Sequence, residues 1–146
     1  MMSGRGLDFI TDRIPHRPPF LWLDRVCELT ETSIRAEKTI EPDLDIFTGH
    51  YPDYPLMPGV LLCEAVFQAG ALLIGELSEQ DEASLGVPVL ARIQGAKFKR
   101  EVRPGETISI EARLKEKVGP AWFFKGTVRV QGKVAVQVEF SCALKG

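Results

Sequence analysis

The stretch Gly59–Leu77, GVLLCEAVFQAGALLIGEL, is apolar on every side of a helical wheel until its last turn. A helix that is hydrophobic all round is a buried one. Pro58 just ahead of it suits a first helical position, where a missing N–H costs nothing. At 1.5 Å per residue the run spans about 28 Å. Glu64 and Gln68 alone interrupt its apolar part, and their spacing of four sets them on one face, one turn above the other. A carboxylate on a buried helix is costly unless it is paired, protonated or used. Fourteen residues upstream of Glu64 stands His50, in the loop GHYPDYPLMPG that feeds the helix. An imidazole and a buried carboxyl at the two ends of one segment point to an acid/base pair. A membrane span would need about 20 apolar residues, but two polar side chains near the middle and no positive flank behind them favour a core helix.

Outward from this helix the chain reads mostly as strand. Leu21–Leu29 and Ser33–Ile40 are expected as two strands joined by the polar turn 30–32, and Glu41–Pro58 as a loop rich in Pro, Asp and Gly. After the helix comes a polar connection, SEQDEAS, then short strands at Val87–Gln94 and Ala96–Lys99. In Glu106–Lys117 the apolar residues alternate with polar ones at a period of two, and Trp122, Phe124, Val128 and Val130 continue the pattern. Gln131-Gly132 suits a tight hairpin turn. Val134, Val136, Val138, Phe140 and Cys142 are expected as the apolar face of the last strand. One long buried helix with about six antiparallel strands predicts an α+β hot-dog arrangement, a sheet curled around the helix, with edge pairing to a second copy covering the exposed edge.

With 146 residues the chain suits a single domain, residues 1–13 forming an N-terminal extension. A net charge of −2 implies neither nucleic acid nor membrane as partner. The three cysteines, Cys27, Cys63 and Cys142, are far apart and lack metal-ligand spacing, so they read as reduced thiols in a cytoplasmic protein. The N-terminus has no apolar run long enough for a signal peptide.

Several segments together resemble the β-hydroxyacyl-(acyl carrier protein) dehydratases of the FabZ type. They are Ile14-Pro15-His16-Arg17-Pro18-Pro19-Phe20-Leu21; Gly49-His50-Tyr51-Pro52 with Pro55-Leu56-Met57-Pro58-Gly59-Val60-Leu61 and Glu64-Ala65; Ala96-Lys97-Phe98-Lys99-Arg100; and Pro104-Gly105-Glu106. The likeness runs from Ile14 nearly to the end. Trp22 stands where a small aliphatic residue is usual, Gln94 where an acid is common, Glu101 and Arg103 where a Pro and an apolar residue are usual, and Val89 and Leu90 where some members carry an aromatic gate. The resemblance implies dehydration of 3-hydroxyacyl groups on acyl carrier protein to trans-2-enoyl thioesters in fatty acid or related lipid biosynthesis. Phosphopantetheine would arrive with the substrate, and neither a metal nor a redox cofactor is implied. It also implies a homodimer whose sites draw His and Glu from opposite subunits, with a trimer of dimers open as a further assembly.

The chemistry fits those residue types. Removing the C2 proton needs a base near neutrality, which imidazole provides. Expelling the C3 hydroxyl as water needs an acid, which a desolvated carboxyl can supply. The resemblance gives His50 the first step and Glu64 the second. Gly59 and Val60 open the helix with free N–H groups, so they are the expected oxyanion donors, Gly59 foremost because a glycine allows close approach of the carbonyl. By resemblance the Leu56 carbonyl fixes the His50 tautomer. Gln68 is expected as a hydrogen-bonding support for Glu64, and His16 as a structural residue of a Pro-rich turn. Lys97, Lys99, Arg100 and Arg103 form a basic cluster that could dock an acidic carrier protein, or simply guard a strand edge, with Lys97 and Lys99 on one face. Two rivals remain open: a hot-dog thioesterase, which keeps the helix carboxylate without needing His50, and a non-catalytic carrier-binding subunit.

Overall fold

The computed structural model describes residues 5–78 and 87–145. Helix α3, Gly59–Ser78, is the axis of the molecule. Its residues Leu62, Cys63, Ala65–Ala71 and Leu72–Ile74 are all buried, Gln68 among them. The helix is long and apolar enough to cross a membrane by composition, yet two-thirds of its most apolar window (67%) is buried within this fold. From Glu79 onward the polar connection lies outside the described residues.

Six strands wrap the helix as one antiparallel sheet: β1 (Arg25–Leu29), β2 (Ser33–Thr39), β3 (Val87–Phe98), β4 (Thr107–Val118), β5 (Ala121–Val130) and β6 (Lys133–Lys145). Their order across the sheet is β1-β2-β4-β5-β6-β3. This is the hot-dog arrangement. The period-two pattern works as the sequence predicts in β4, where Ile108, Ile110 and Ala112 are buried, and in β5, where Trp122, Phe124, Val128 and Val130 are buried. Gly126 sits mid-strand because α3 passes over it: a Cβ there would collide with Val66 Cγ1 and lie 2.8 Å from the Glu111 carbonyl oxygen. At the β5–β6 hairpin Gln131 (φ 53°) and Gly132 (φ 76°) both take left-handed backbone, the pair of conformations a two-residue type I′ turn requires.

Four expectations change. The first strand starts at Arg25, not Leu21; Leu21, Trp22 and Leu23 are buried, but the Trp22 N–H donates to the Gln68 side chain (2.8 Å) instead of a neighbouring strand. The loop 41–58 contains a short helix, α2 (Ile46–Gly49), and residues ahead of Ile14 form another, α1 (Leu7–Thr11), whose Ile10 is fully buried. Both are too short to leave a periodic signature. The two short strands expected at 87–99 are one strand, kept in register by shifts at Leu90/Arg92 and Ile93/Gly95. In β6 the alternation slips: Val128 pairs with Val136 but Arg129 with Val134, so Ala135 is an extra residue. That bulge buries Ala135 and leaves Val134 only half-buried.

The bulge also anchors the neighbouring strand. The Ala135 carbonyl accepts the N–H groups of Lys99 (2.7 Å) and Arg100 (3.3 Å), tying the end of β3 to the sheet. Strand β3 itself is the terminal strand, and nearly all of it is exposed, including Val89, Leu90, Ile93 and Phe98.

Candidate active site

His50 caps the C-terminal end of α2, its N–H bonded to the Ile46 carbonyl (2.9 Å). Its Nδ1 lies 3.0 Å from the Leu56 carbonyl oxygen. A carbonyl only accepts, so Nδ1 carries a proton, and it is Nε2 that holds the lone pair in the uncharged ring, the form a base needs. The next residue, Tyr51, has φ 52°, an uncommon left-handed conformation for a non-glycine, and its ring lies 4.5 Å from the imidazole, centroid to centroid.

The start of α3 opens beside His50. Leu61 and Leu62 both donate their N–H to the Pro58 carbonyl (3.0 and 3.2 Å). Among the described residues no acceptor meets the N–H of Gly59 or of Val60, so two aligned donors remain at the positive end of a helix dipole. His50, Leu56, Gly59, Val60, Phe98, Lys99 and Arg100 line one cavity of about 540 Å³. A Cβ at Gly59 would fall 2.7 Å from Cδ1 of the exposed Phe98 ring, so a glycine is also what lets that ring lie against the start of the helix.

Glu64 faces elsewhere. It lines a separate cavity of about 260 Å³ with Pro15, His16, Phe67, Ala71, Pro88, Val89, Leu90 and Cys142. Its side chain keeps 21% of its exposure, so it borders a cleft and is not sealed in the core as the helix pattern predicts. Gln68, fully buried, donates from Nε2 to Glu64 Oε2 (3.0 Å) and to the Phe20 carbonyl (2.9 Å). Because its Oε1 accepts the Trp22 N–H, the amide cannot flip without losing every bond it makes.

His16 is the neighbour that sequence reasoning misses. Its Nε2 lies 3.6 Å from Glu64 Oε2. Burial lowers its pKa below the usual 6.5, outweighing the pull of the Glu64 carboxylate, so the ring faces Glu64 neutral at pH 7. Only a signal of contact between the Pro-rich turn and the helix could reveal this, and no local spacing carries one. Cys142, in the same cavity, has its thiol pushed up to about 12 by burial and by Glu64, and burial pushes the helix thiol of Cys63 up to about 11. Neither is a thiolate at neutral pH.

The basic cluster divides. Lys99 and Arg100 line the His50 cavity, whereas Lys97 lines a shallow groove on the sheet with Gln94, Lys125 and Glu139. The strand ends at Phe98, so alternation does not extend to Lys99 and the two lysines do not share a face as expected. Arg103 is bound to Glu101 (3.2 Å) and to the Tyr54 hydroxyl (2.7 Å).

The sequence and the fold have known counterparts. The family model of the FabA-like domain matches residues 14–139. The 3-hydroxyacyl-(acyl-carrier-protein) dehydratase FabZ of Clostridium perfringens is 40% identical over 139 residues, covering 95% of this chain and 98% of that protein. The FabZ dehydratase of Burkholderia thailandensis is 39% identical over 150 residues, covering 99% and 94%. Among solved structures, the dehydratase heterocomplex ApeI:P of Xenorhabdus doucetiae superposes with a TM-score of 0.78 at 16% identity over 94% of this chain and 91% of the other. A hypothetical thioesterase with coenzyme A from Streptococcus pneumoniae gives 0.67 at 9% identity over 95% and 94%, which is a likeness of fold alone. Identity near 40% along nearly the whole length is of another order: the chain belongs to the FabA-like family, with the FabZ-type dehydratases.

Proposed function

We infer that the protein is a 3-hydroxyacyl-(acyl carrier protein) dehydratase of fatty acid biosynthesis. The observation that carries the chemistry is the start of α3, where a proton-accepting imidazole stands beside two unclaimed N–H donors. In this reading His50 Nε2 removes a proton from C2 of the acyl thioester. The electron pair moves onto the thioester oxygen, which the Gly59 and Val60 N–H groups stabilise. It then returns to form the C2–C3 double bond as the C3–O bond breaks, and Glu64 gives the departing hydroxyl its proton, releasing water. His50 gains one proton and Glu64 loses one. Written so, the reaction balances without a metal or redox cofactor; phosphopantetheine comes with the carrier.

His50 and Glu64 line different cavities of one protomer, and the terminal strand β3 carries exposed apolar side chains beside both. We read the working unit as a homodimer paired through β3, each site taking His50 from one protomer and Glu64 from its partner. Lys99 and Arg100 at the His50 cavity are suited to an acidic carrier protein, and a cytoplasmic setting accords with the free thiols.

The test follows the enoyl-thioester absorbance from a carrier-linked 3-hydroxyacyl substrate. His50→Ala and Glu64→Gln should each lower turnover by about 10²–10⁴-fold. Unfolding and refolding the two variants together should restore about one quarter of wild-type activity, since half of randomly paired dimers then hold one intact site of two. No recovery would overturn the shared site. Release of thiol in place of enoyl product would indicate a thioesterase, and binding without turnover an accessory subunit.

A further inference from the structure

The loop 51–58 supplies the carbonyl that orients His50, and two ties hold it to the segment after β3. One is main chain, Met57 N–H to the Val102 carbonyl (2.7 Å). The other is a side-chain triangle: the Tyr54 hydroxyl donates to Glu101 Oε1 (2.6 Å), and Arg103 donates both to that hydroxyl (2.7 Å) and to the same carboxylate oxygen (3.2 Å). The guanidinium carbon lies 4.8 Å from the centre of the Tyr54 ring, so Arg103 is stacked as well as bonded. Arg103 is fixed in turn, its backbone N–H donating to Glu106 Oε1 (2.7 Å), while Gln131 of the β5–β6 turn holds Glu106 Oε2 (3.1 Å). Leu56 falls between the two ties. On its other side the turn Tyr51–Tyr54 is closed by Tyr54 N–H to the Tyr51 carbonyl (2.8 Å), with Tyr51 in left-handed backbone directly after His50.

We propose that Tyr54, Glu101 and Arg103 form a clamp that sets the Leu56 carbonyl, and through it the ring orientation and tautomer of His50. They are positioning residues, and the proposal rests on His50 being the base. The triangle adds a side-chain tether at Tyr54 to the main-chain tie at Met57. Its role is geometric: a tether at Tyr54 resists swinging of the peptide planes up to Leu56, and small misplacements of a reacting group are costly in rate.

The experiment compares Tyr54→Phe, Glu101→Leu and Glu101→Gln with wild type and with His50→Ala, reading kcat, KM and the ring-nitrogen chemical shifts of His50 in the 15N-labelled protein. Tyr54→Phe and Glu101→Leu should lower kcat about five- to tenfold with KM held within about twofold, and the His50 ring should move from one Nδ1–H tautomer toward a mixture. Glu101→Gln keeps an acceptor for the hydroxyl and should stay near wild type. An unchanged kcat and ring spectrum in both breaking variants, with His50→Ala inactive, would overturn the clamp alone. An effect on KM only would overturn it too, placing the triangle at substrate entry. Turnover by His50→Ala would instead overturn the base on which the clamp acts.

Discussion

Glu64 and His50 flank the first turns of the same helix, yet they are held by unlike material. Glu64 projects from a helix packed on all sides, and its orienting partner Gln68 is fully buried and bonded at three points, to Glu64, Phe20 and Trp22. His50 ends a four-residue helix and leans on a loop whose ties include an exposed triangle of side chains. Glu64 inherits its geometry from the core, so whatever keeps the protein folded keeps it in place. His50, the base in the proposed reaction, depends on surface contacts whose loss costs little stability.

The largest effect should come from the two groups proposed to react. His50→Ala and Glu64→Gln should each lower kcat by about 10²–10⁴-fold, the usual contribution of a positioned acid or base, with circular dichroism unchanged. Next, Gln68→Leu should lower both kcat and stability, because the Phe20 carbonyl and the buried Trp22 N–H lose their partner, the latter at about 1–3 kcal/mol. By contrast Tyr54→Phe, near the surface, should shift stability by no more than about 0.5 kcal/mol. Equal losses of stability in urea unfolding of these two variants would break the contrast between core-held Glu64 and surface-held His50. Gly126→Ala should cost about 1–3 kcal/mol by pushing Val66 and the helix off the sheet. It should disturb turnover through Glu64 while leaving the His50 tautomer untouched, and a changed His50 ring spectrum would count against that separation.

The smallest effect is one of pH. His16 has its folded pKa below 6.5, so between that value and the folded one the unfolded chain binds a proton that the folded chain refuses. Stability present above pH 6.5 should fall as the pH drops through this window and level off below the folded pKa. His16→Asn should flatten that slope in urea midpoints measured across the window, and an unaltered slope would remove His16 as its source.

The sequence makes the core-held half far more legible than the surface-held half. Helix α3 is placed to within a residue of its end because its apolar run is continuous, and β4, β5 and the Gln131-Gly132 turn follow from alternation and left-handed turn chemistry. Gln68 is readable beside Glu64 because both sit on one helix, four residues apart. His16 is not, since its approach to Glu64 is made by a turn folding back across the helix. Leu21–Leu23 look like strand because they are buried, but the Trp22 N–H is taken by the Gln68 side chain, which hydrophobicity does not register. Arg103 reads as a free cation in a basic run; its carboxylate and phenol partners emerge only once two loops meet.

The extra residue at Ala135 has a consequence for anyone who would recombine these enzymes. Because that one carbonyl holds the backbone of Lys99 and Arg100, the terminal hairpin and the wall of the His50 cavity form a single unit of inheritance. A hairpin transplanted from a relative without the bulge would arrive correctly paired with β5 and still leave the entrance to the site untethered.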